Sequence, residues 1–267
     1  MSSWLRRLGP SGAVLLLATI GGAGLLAYDH WRTSGLTAVS RGERLAQTRG
    51  CFGCHGPGGL TGFEDPSGTT GSVPLFSNEG VEGHSRTAGE IREWILEGKP
   101  KRLRDQQAGE DADEEDELFT MPSFRGRISA AQADDLVAYV RAASNFHAST
   151  APVAVQGREA AARLGCFVCH GPQGRGALPN PGSFKGYIPP WDGPDLPELA
   201  KDDVELREWI LDGSCKRLRE HPIAKRFIQG QAVQMPAYRG HISTEDVDRL
   251  VAYVNWLRTS TEGREGR

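Results

Sequence analysis

Two five-residue segments of the chain combine residue types that can both bind a metal and form covalent bonds. Each has the pattern Cys-x-x-Cys-His, and the residues concerned are Cys51, Cys54, His55, Cys166, Cys169 and His170. Two thiols at this spacing can each bond one vinyl group of a porphyrin, and the adjacent histidine then reaches the iron. A zinc site would need a further soft ligand that neither segment supplies, and a redox dithiol would not explain two histidines. The pattern therefore predicts two covalently bound haem c groups.

The two segments belong to an internal repeat that covers most of the chain. The recurring stretches are CFGCHGP (51–57) and CFVCHGP (166–172), IREWILEG (91–98) and LREWILDG (206–213), and MPSFRG (121–126) and MPAYRG (235–240). The offset of 115 residues changes by only one residue along the repeat. The repeat therefore predicts two copies of one fold, at 38–147 and 153–260, joined by a short linker.

The iron of an electron carrier usually takes a second axial ligand, most often methionine or histidine. Apart from Met1, the chain has two methionines, Met121 and Met235, which occupy equivalent positions in the repeat. Each precedes a proline, which stiffens the loop that presents the sulfur. A methionine can also be a mere core filler, but that does not explain the equivalence. Histidines without a histidine counterpart in the other copy are His84, His147, His221 and His241. We therefore predict that each iron is bound by histidine and methionine.

The elements that must position these ligands are helices. In each copy, we expect one helix before the cysteines, one that carries a tryptophan and one that follows a serine N-cap. The residues that mark these helices are Gly50, Gly165, Trp94, Trp209, Ser129 and Ser243. Apolar residues of the last helix recur on one face, and no segment alternates long enough to indicate a sheet. The predicted fold class is all-α, with two tandem helical lobes.

The N-terminus is apolar enough to interact with a membrane. Arg6 and Arg7 precede residues 8–28, which carry no charge and would span roughly the ~30 Å hydrocarbon core as a helix. The arginines favour the cytoplasmic side, which sends both lobes outward. A cleaved signal peptide is the alternative, although Leu25 occupies a place usually taken by a small residue. We predict a single-pass anchor in a bacterial inner membrane, with both lobes on the periplasmic side.

The remaining charge and cysteine content narrows the possible partners. A net charge of -3 and the absence of a long basic run argue against nucleic acid. The run from Asp105 to Glu117 holds eight acids and no base. It is either a solvated loop or a docking surface for a basic redox partner. Cys215, the fifth cysteine, has no partner; we expect an inert thiol, the alternative being pairing between molecules.

Together, the haem motif, the tryptophan segment, the Met-Pro loop and the closing LVAYV helix resemble the small monohaem cytochrome c fold, twice over. The resemblance implies an exposed haem edge and an iron held by His and Met. It also implies that a Gly-Pro-x-Leu segment holds the ligand histidine, which points to Pro194 in the second lobe. The first lobe departs from that pattern, and there Pro74, aligned with Pro189, is the substitute. By the same resemblance, Trp94 and Trp209 donate to haem propionates, unless they are simply core aromatics.

With both irons saturated, we expect an electron relay rather than an enzyme, with no small-molecule substrate. Its partners would be an electron donor and acceptor, within a respiratory or photosynthetic membrane complex. The alternative is a di-haem redox enzyme, such as a peroxidase or a thiosulfate-oxidising cytochrome. Such an enzyme needs one iron with an open or displaceable position, and the near-identity of the two methionine loops argues against it.

Overall fold

The computed structural model describes residues 10–66, 71–107, 119–146 and 148–259, which form helices joined by loops. The helices are α1 (Pro10–Thr33), α2 (Ala38–Thr48), α3 (Cys51–His55), α4 (Asn78–His84), α5 (Ala88–Glu97), α6 (Lys101–Gln107), α7 (Ala130–Ser144), α8 (Pro152–Arg163), α9 (Cys166–His170), α10 (Leu196–Leu199), α11 (Asp203–Asp212), α12 (Lys216–Glu220), α13 (Ala224–Gly230) and α14 (Thr244–Thr259). Within these residues, extended pairing is limited to two isolated bridges, Glu64–Ser72 and Pro179–Tyr187. The predicted all-α class is confirmed.

Helix α1 belongs to a unit of its own, which ends at Gly35. Its segment Val14–Thr33 is long and apolar enough to cross a membrane. The helix continues past Asp29, where the uncharged stretch ends, and carries His30 and Arg32 in its last turn. Basic side chains in the last turn interact favourably with the partial negative charge of a helix C-terminus, which helps α1 to extend beyond its apolar segment.

The predicted helix boundaries follow from local capping. Helix α2 ends just before Gly50, and helix α8 just before Gly165, both of which adopt the left-handed conformation that favours glycine. Ser129 forms a reciprocal capping box with Gln132 at the start of α7. Ser243 Oγ accepts from the N–H of Asp246 at the start of α14. The first and last helices of each copy therefore begin and end as expected.

Each copy has its own hydrophobic core, built from equivalent residues. The buried core residues shared by the two copies include Ile91, Ile95, Leu136 and Val140 in the first, and Leu206, Ile210, Leu250 and Val254 in the second. Helix α2 packs on α7, and α8 packs on α14. The cysteine-bearing helices α3 and α9 lie beside these pairs, so the core of each copy fixes its haem-attachment segment.

The two copies pack against each other within one compact unit that starts at Leu36. Ser40 Oγ donates to the carbonyl of Arg175 over 2.8 Å, and both residues are buried. The N–H of Ala177 donates to Glu43 Oε2 over 3.3 Å, and burial raises the pKa of that carboxyl. The two lobes are therefore not independent domains joined only by the linker before Pro152, because residues of helix α2 form hydrogen bonds with the second copy.

Candidate haem-binding sites

The two attachment motifs each fold into a single helical segment, α3 and α9. Residues three positions apart lie on one face of a helix, so this fold directs the two thiols of each motif to the same side. Burial raises the pKa of the Cys51 thiol, and that of Cys166 to about 11. Both thiols are partly buried and pack against the hydrophobic core of their lobe, an apolar environment that suits a porphyrin edge.

In the first lobe, His55 is oriented by a backbone carbonyl. Its Nδ1 lies 2.8 Å from the carbonyl oxygen of Pro74. Because a carbonyl only accepts, Nδ1 carries the proton and Nε2 keeps its lone pair. The ring of Phe76 lies 4.7 Å from the imidazole, centroid to centroid, and burial lowers the pKa of His55. The neutral ring therefore presents one nitrogen to a metal.

In the second lobe, the equivalent proline, Pro189, lies beside the imidazole of His170. The Pro189 carbonyl raises the pKa of His170, but burial outweighs it and the pKa is lowered to about 4. The contact falls outside ordinary hydrogen-bond geometry, and Nδ1 of His170 is a buried polar atom without a partner among the described residues. The expectation that Pro194 holds His170 was wrong: Pro194 immediately precedes the Asp195 cap of α10, and Pro189 is the proline beside the imidazole.

A cavity of about 710 Å³ opens in the second lobe, within the ~300–1,000 Å³ typical of cofactor sites. Its lining is mostly apolar. Five of the predicted site residues line it, namely Cys166, Cys169, His170, Trp209 and Met235. The structure thus gathers both thiols, an imidazole and a thioether around one apolar space, a donor set that suits covalent haem with histidine and methionine ligation.

The Met-Pro loops are docked in the same way in both lobes. The N–H of Phe124 donates to the carbonyl of Ile95 over 3.1 Å, and the N–H of Tyr238 donates to that of Ile210 over 3.2 Å. Met121 packs against the same core as Cys51 in the first lobe. Met235 packs against the same core as Cys166 in the second. The C-terminal ends of the tryptophan-bearing helices, α5 and α11, therefore position Met121 and Met235 near the attachment motifs.

The two tryptophans make equivalent hydrogen bonds to backbone carbonyls. Trp94 Nε1 donates to the carbonyl of His84 over 3.2 Å, and Trp209 Nε1 donates to that of Leu199 over 2.8 Å. Each indole N–H thus has a backbone acceptor, and the propionate role of the two tryptophans stays a prediction. Each indole therefore links its own helix to the C-terminal end of the short helix before it, α4 in the first lobe and α10 in the second.

Among the competing histidines, His221 also lines the second cavity. Its Nδ1 accepts from the N–H groups of Ile223 and Ala224, over 3.3 and 3.2 Å. An imidazole that accepts at Nδ1 carries its proton on Nε2, so neither nitrogen is free for a metal. His84 Nδ1 is 2.8 Å from the carbonyl of Gly80. His147 lies outside the described residues, and so does the acidic run beyond residue 107.

Residues missed from sequence include the aromatic partners of the histidines. Trp191 lies 4.9 Å from His170, as Phe76 lies beside His55. Both aromatics, like Pro74 and Pro189, are 115 positions apart in the repeat, which was the available signal. Among the described residues, no three His, Cys, Asp or Glu side chains cluster to hold a metal ion, which leaves the zinc interpretation without ligands.

The helical fold and the paired attachment sites define a c-type cytochrome with two haems. Residues 39–144 match the family model described as Cytochrome c, and residues 153–254 match the one described as Cytochrome C oxidase, cbb3-type, subunit III. The chain is therefore a di-haem c-type cytochrome with two tandem cytochrome c domains and two covalently bound haem c groups.

The chain is similar to the Cbb3-type cytochrome c oxidase subunit FixP of Azorhizobium caulinodans. The two are 24% identical over 223 residues, which cover 83% of this chain and 61% of that protein. The chain thus spans less than two thirds of the length of this curated relative. No solved structure matches the chain significantly.

Proposed function

We propose that this protein is an electron-transfer subunit of a membrane-bound respiratory complex of the cbb3 oxidase kind, and that it has no catalytic activity of its own. His55 and Met121 bind the first iron, and His170 and Met235 bind the second. The observation that carries the proposal is the donor set of the second cavity, where two thiols, an imidazole and a thioether meet in one apolar space. The similarity to FixP supports the oxidase assignment.

Bound haem supplies one-electron chemistry at its iron. The chain's residues bind it, orient the ligands and exclude water. Pro74 aligns His55 through the hydrogen bond to Nδ1, which directs the other nitrogen to the metal. Histidine and methionine together would hold each iron, which would leave no open position for a substrate and restrict the chemistry to electron transfer.

The packing of the lobes supports a relay between two fixed haem sites. Gln173, three residues after the second motif, donates through Nε2 to Asn145 Oδ1 over 3.1 Å, and the carbonyl of Arg175 accepts from Ser40 Oγ. These contacts join the segment after the second attachment helix to helices of the first lobe. The distance between the two sites is therefore set by folding and not by diffusion of the lobes, 38–147 and 153–260.

In this proposal, helix α1 anchors the protein in the membrane. Its apolar segment would cross the bacterial inner membrane, with Arg6 and Arg7 on the cytoplasmic side and both lobes in the periplasm. There the lobes would meet a donor and an acceptor held at the same membrane, with the acidic run from Asp105 to Glu117 as a docking surface for a basic partner.

The proposal is tested by visible and near-infrared spectroscopy of the membrane-purified protein, together with identification of its co-purifying subunits. Two low-spin haems with histidine and methionine ligation, and oxidase subunits in the same complex, are the expected result. A high-spin haem, or one that binds cyanide readily in the resting protein, would instead indicate a di-haem enzyme and contradict the proposed role. Exchange of Met121 or Met235 for histidine should each lower the midpoint potential of one haem only.

A further inference from the structure

The loop that leads to Met235 is held by an unusual two-way contact. The side-chain amide of Asn180 donates from Nδ2 to the carbonyl of Val233 over 2.9 Å. The N–H of Val233 in turn donates to Asn180 Oδ1 over 2.8 Å. Asn180 is 3% exposed, whereas Val233 is 39% exposed, so both hydrogen bonds are partly buried. The amide therefore pairs with both polar groups of one residue in the methionine loop, two positions before Met235.

Neighbouring contacts strengthen the attachment of the same two segments. The N–H of Ala232 donates to the carbonyl of Pro181 over 2.8 Å. The rings of Phe184 and Phe227 meet edge to face, with centroids 5.1 Å apart. The loop that begins at Asn180 leads to Pro189 beside His170. Asn180 thus bridges the histidine side and the methionine side of the second cavity, which it also lines.

We infer that Asn180 is a positioning residue for the second haem, which holds the Met235 loop so that the sulfur stays on the iron. The inference rests on the proposed function, since it requires Met235 as a ligand. We call the two hydrogen bonds between Asn180 and Val233 the clamp. Loss of the clamp lets the Met235 loop move away from the iron more often, and an external ligand then competes better for the open position. Two partly buried hydrogen bonds should change that competition by about tenfold.

The first lobe cannot build the same clamp. The residue equivalent to Asn180 is Asp65, which is also buried. The backbone hydrogen bonds of the two residues match. The N–H of Asp65 donates to the carbonyl of Gly71, and the N–H of Asn180 donates to the carbonyl of Gly186. A carboxylate accepts hydrogen bonds but has no N–H to donate to a carbonyl. The two-way contact is therefore specific to the second lobe, and the first haem serves as an internal control.

The test compares the full-length holoprotein with its Asn180→Asp and Asn180→Leu variants. Asn180→Asp keeps the shape and removes the donor, whereas Asn180→Leu removes both hydrogen bonds without adding charge. Imidazole is titrated into the oxidised protein and its affinity is read separately at each haem. In the reduced protein, the methyl signals of the ligand methionines are recorded by NMR and assigned with Met121→His and Met235→His. Gln231→Ala is the matched control, because it removes only a contact of 3.4 Å to Asn180.

Both Asn180 variants should bind imidazole about tenfold more tightly at the second haem, with the first haem and Gln231→Ala unchanged. A change in Asn180→Asp alone would assign the effect to charge and overturn the clamp. Unchanged affinity in both variants, with a normal Met235 methyl signal in the parent protein, would overturn the clamp but leave the proposed function intact. Absence of that signal from the parent protein would reject the methionine ligation itself, and the clamp with it.

Discussion

The indole ring of Trp191 lies 4.9 Å from the imidazole ring of His170, and its own backbone N–H donates to the carbonyl of Gly174. In the first lobe, the ring of Phe76 likewise lies 4.7 Å from the imidazole ring of His55, and the N–H of Phe76 donates to the carbonyl of Gly59. An aromatic ring thus supports each ligand histidine from the segment that follows the proline. The two lobes reach one geometry with rings of different size.

Replacement of this ring provides a direct test of its packing role. Trp191 is buried and also contacts Tyr253 edge to face, so Trp191→Ala should cost about 3–5 kcal/mol of unfolding free energy. Trp191→Phe copies the first lobe and should cost markedly less. Urea unfolding of the holoprotein, followed by fluorescence and by haem absorbance, measures both. Equal losses in the two variants would show that the indole does more than support the histidine.

The tight turn after each tryptophan helix should control the methionine loop. Gly213 has a φ of 73°, and a Cβ there would lie 2.5 Å from the carbonyl oxygen of Met235. Gly240 has a φ of 82° but open space around it. Gly240→Ala should therefore cost only about 1–2 kcal/mol for the left-handed backbone.

Gly213→Ala should lose more stability than this and should also weaken the near-infrared band of methionine-bound ferric haem. Thermal unfolding and absorption spectra of the two variants give the comparison. A Gly213→Ala protein with the stability of Gly240→Ala and an unchanged band would show that the loop does not depend on this close approach.

Acid should weaken a pair of equivalent ion pairs. The hydrogen bond from Arg217, at 2.7 Å, lowers the pKa of Glu205 from 4.5 to about 2, and Arg102 does the same to Glu90. Since the folded-state pKa lies below the unfolded value, the stabilisation is complete above about pH 4.5 and is lost as the pH falls towards 2.

Glu205→Gln should therefore reduce stability at pH 6 and should flatten the loss of stability between pH 4.5 and 2. Urea midpoints across this range provide the measurement. Glu220→Gln is the control, since its carboxylate lies 3.9 Å from Lys216 in a pair with both side chains well exposed. Parallel pH profiles for parent protein and Glu205→Gln would contradict the assignment.

The sequence was sufficient for the helices because these depend on local patterns. The repeat indicates the histidine and methionine ligands, which stay a prediction. Capping residues such as Ser129 act on their own turn, so their effect is readable from spacing. Contacts between distant segments were not readable in this way. Pro194 was favoured over Pro189 on a short motif, although only the folded loop decides which carbonyl faces His170. The acceptors of Trp94 and Trp209 lie ten residues upstream of each ring, where no pattern marks a backbone carbonyl.

Alkylation of Cys215 provides a test of its burial and, after denaturation, of the number of cysteines bonded to haem. Cys215 is fully buried, its Sγ lies 3.6 Å from the carbonyl of Leu199, and burial raises its pKa. A buried neutral thiol reacts slowly, because the thiolate is the nucleophile. The folded holoprotein should therefore resist alkylation, as an inert thiol would.

After denaturation, the same protein should expose a single reactive thiol of its five cysteines, because thioether bonds to haem consume the four in the two motifs. Mass spectrometry of the alkylated chain counts the modified residues, and Cys215→Ala serves as the control that should take up no reagent. Three reactive thiols would mean that one haem is not attached, and five would mean that neither is. Rapid labelling of Cys215 in the folded protein would instead show that the α11–α12 turn opens readily and exposes the thiol.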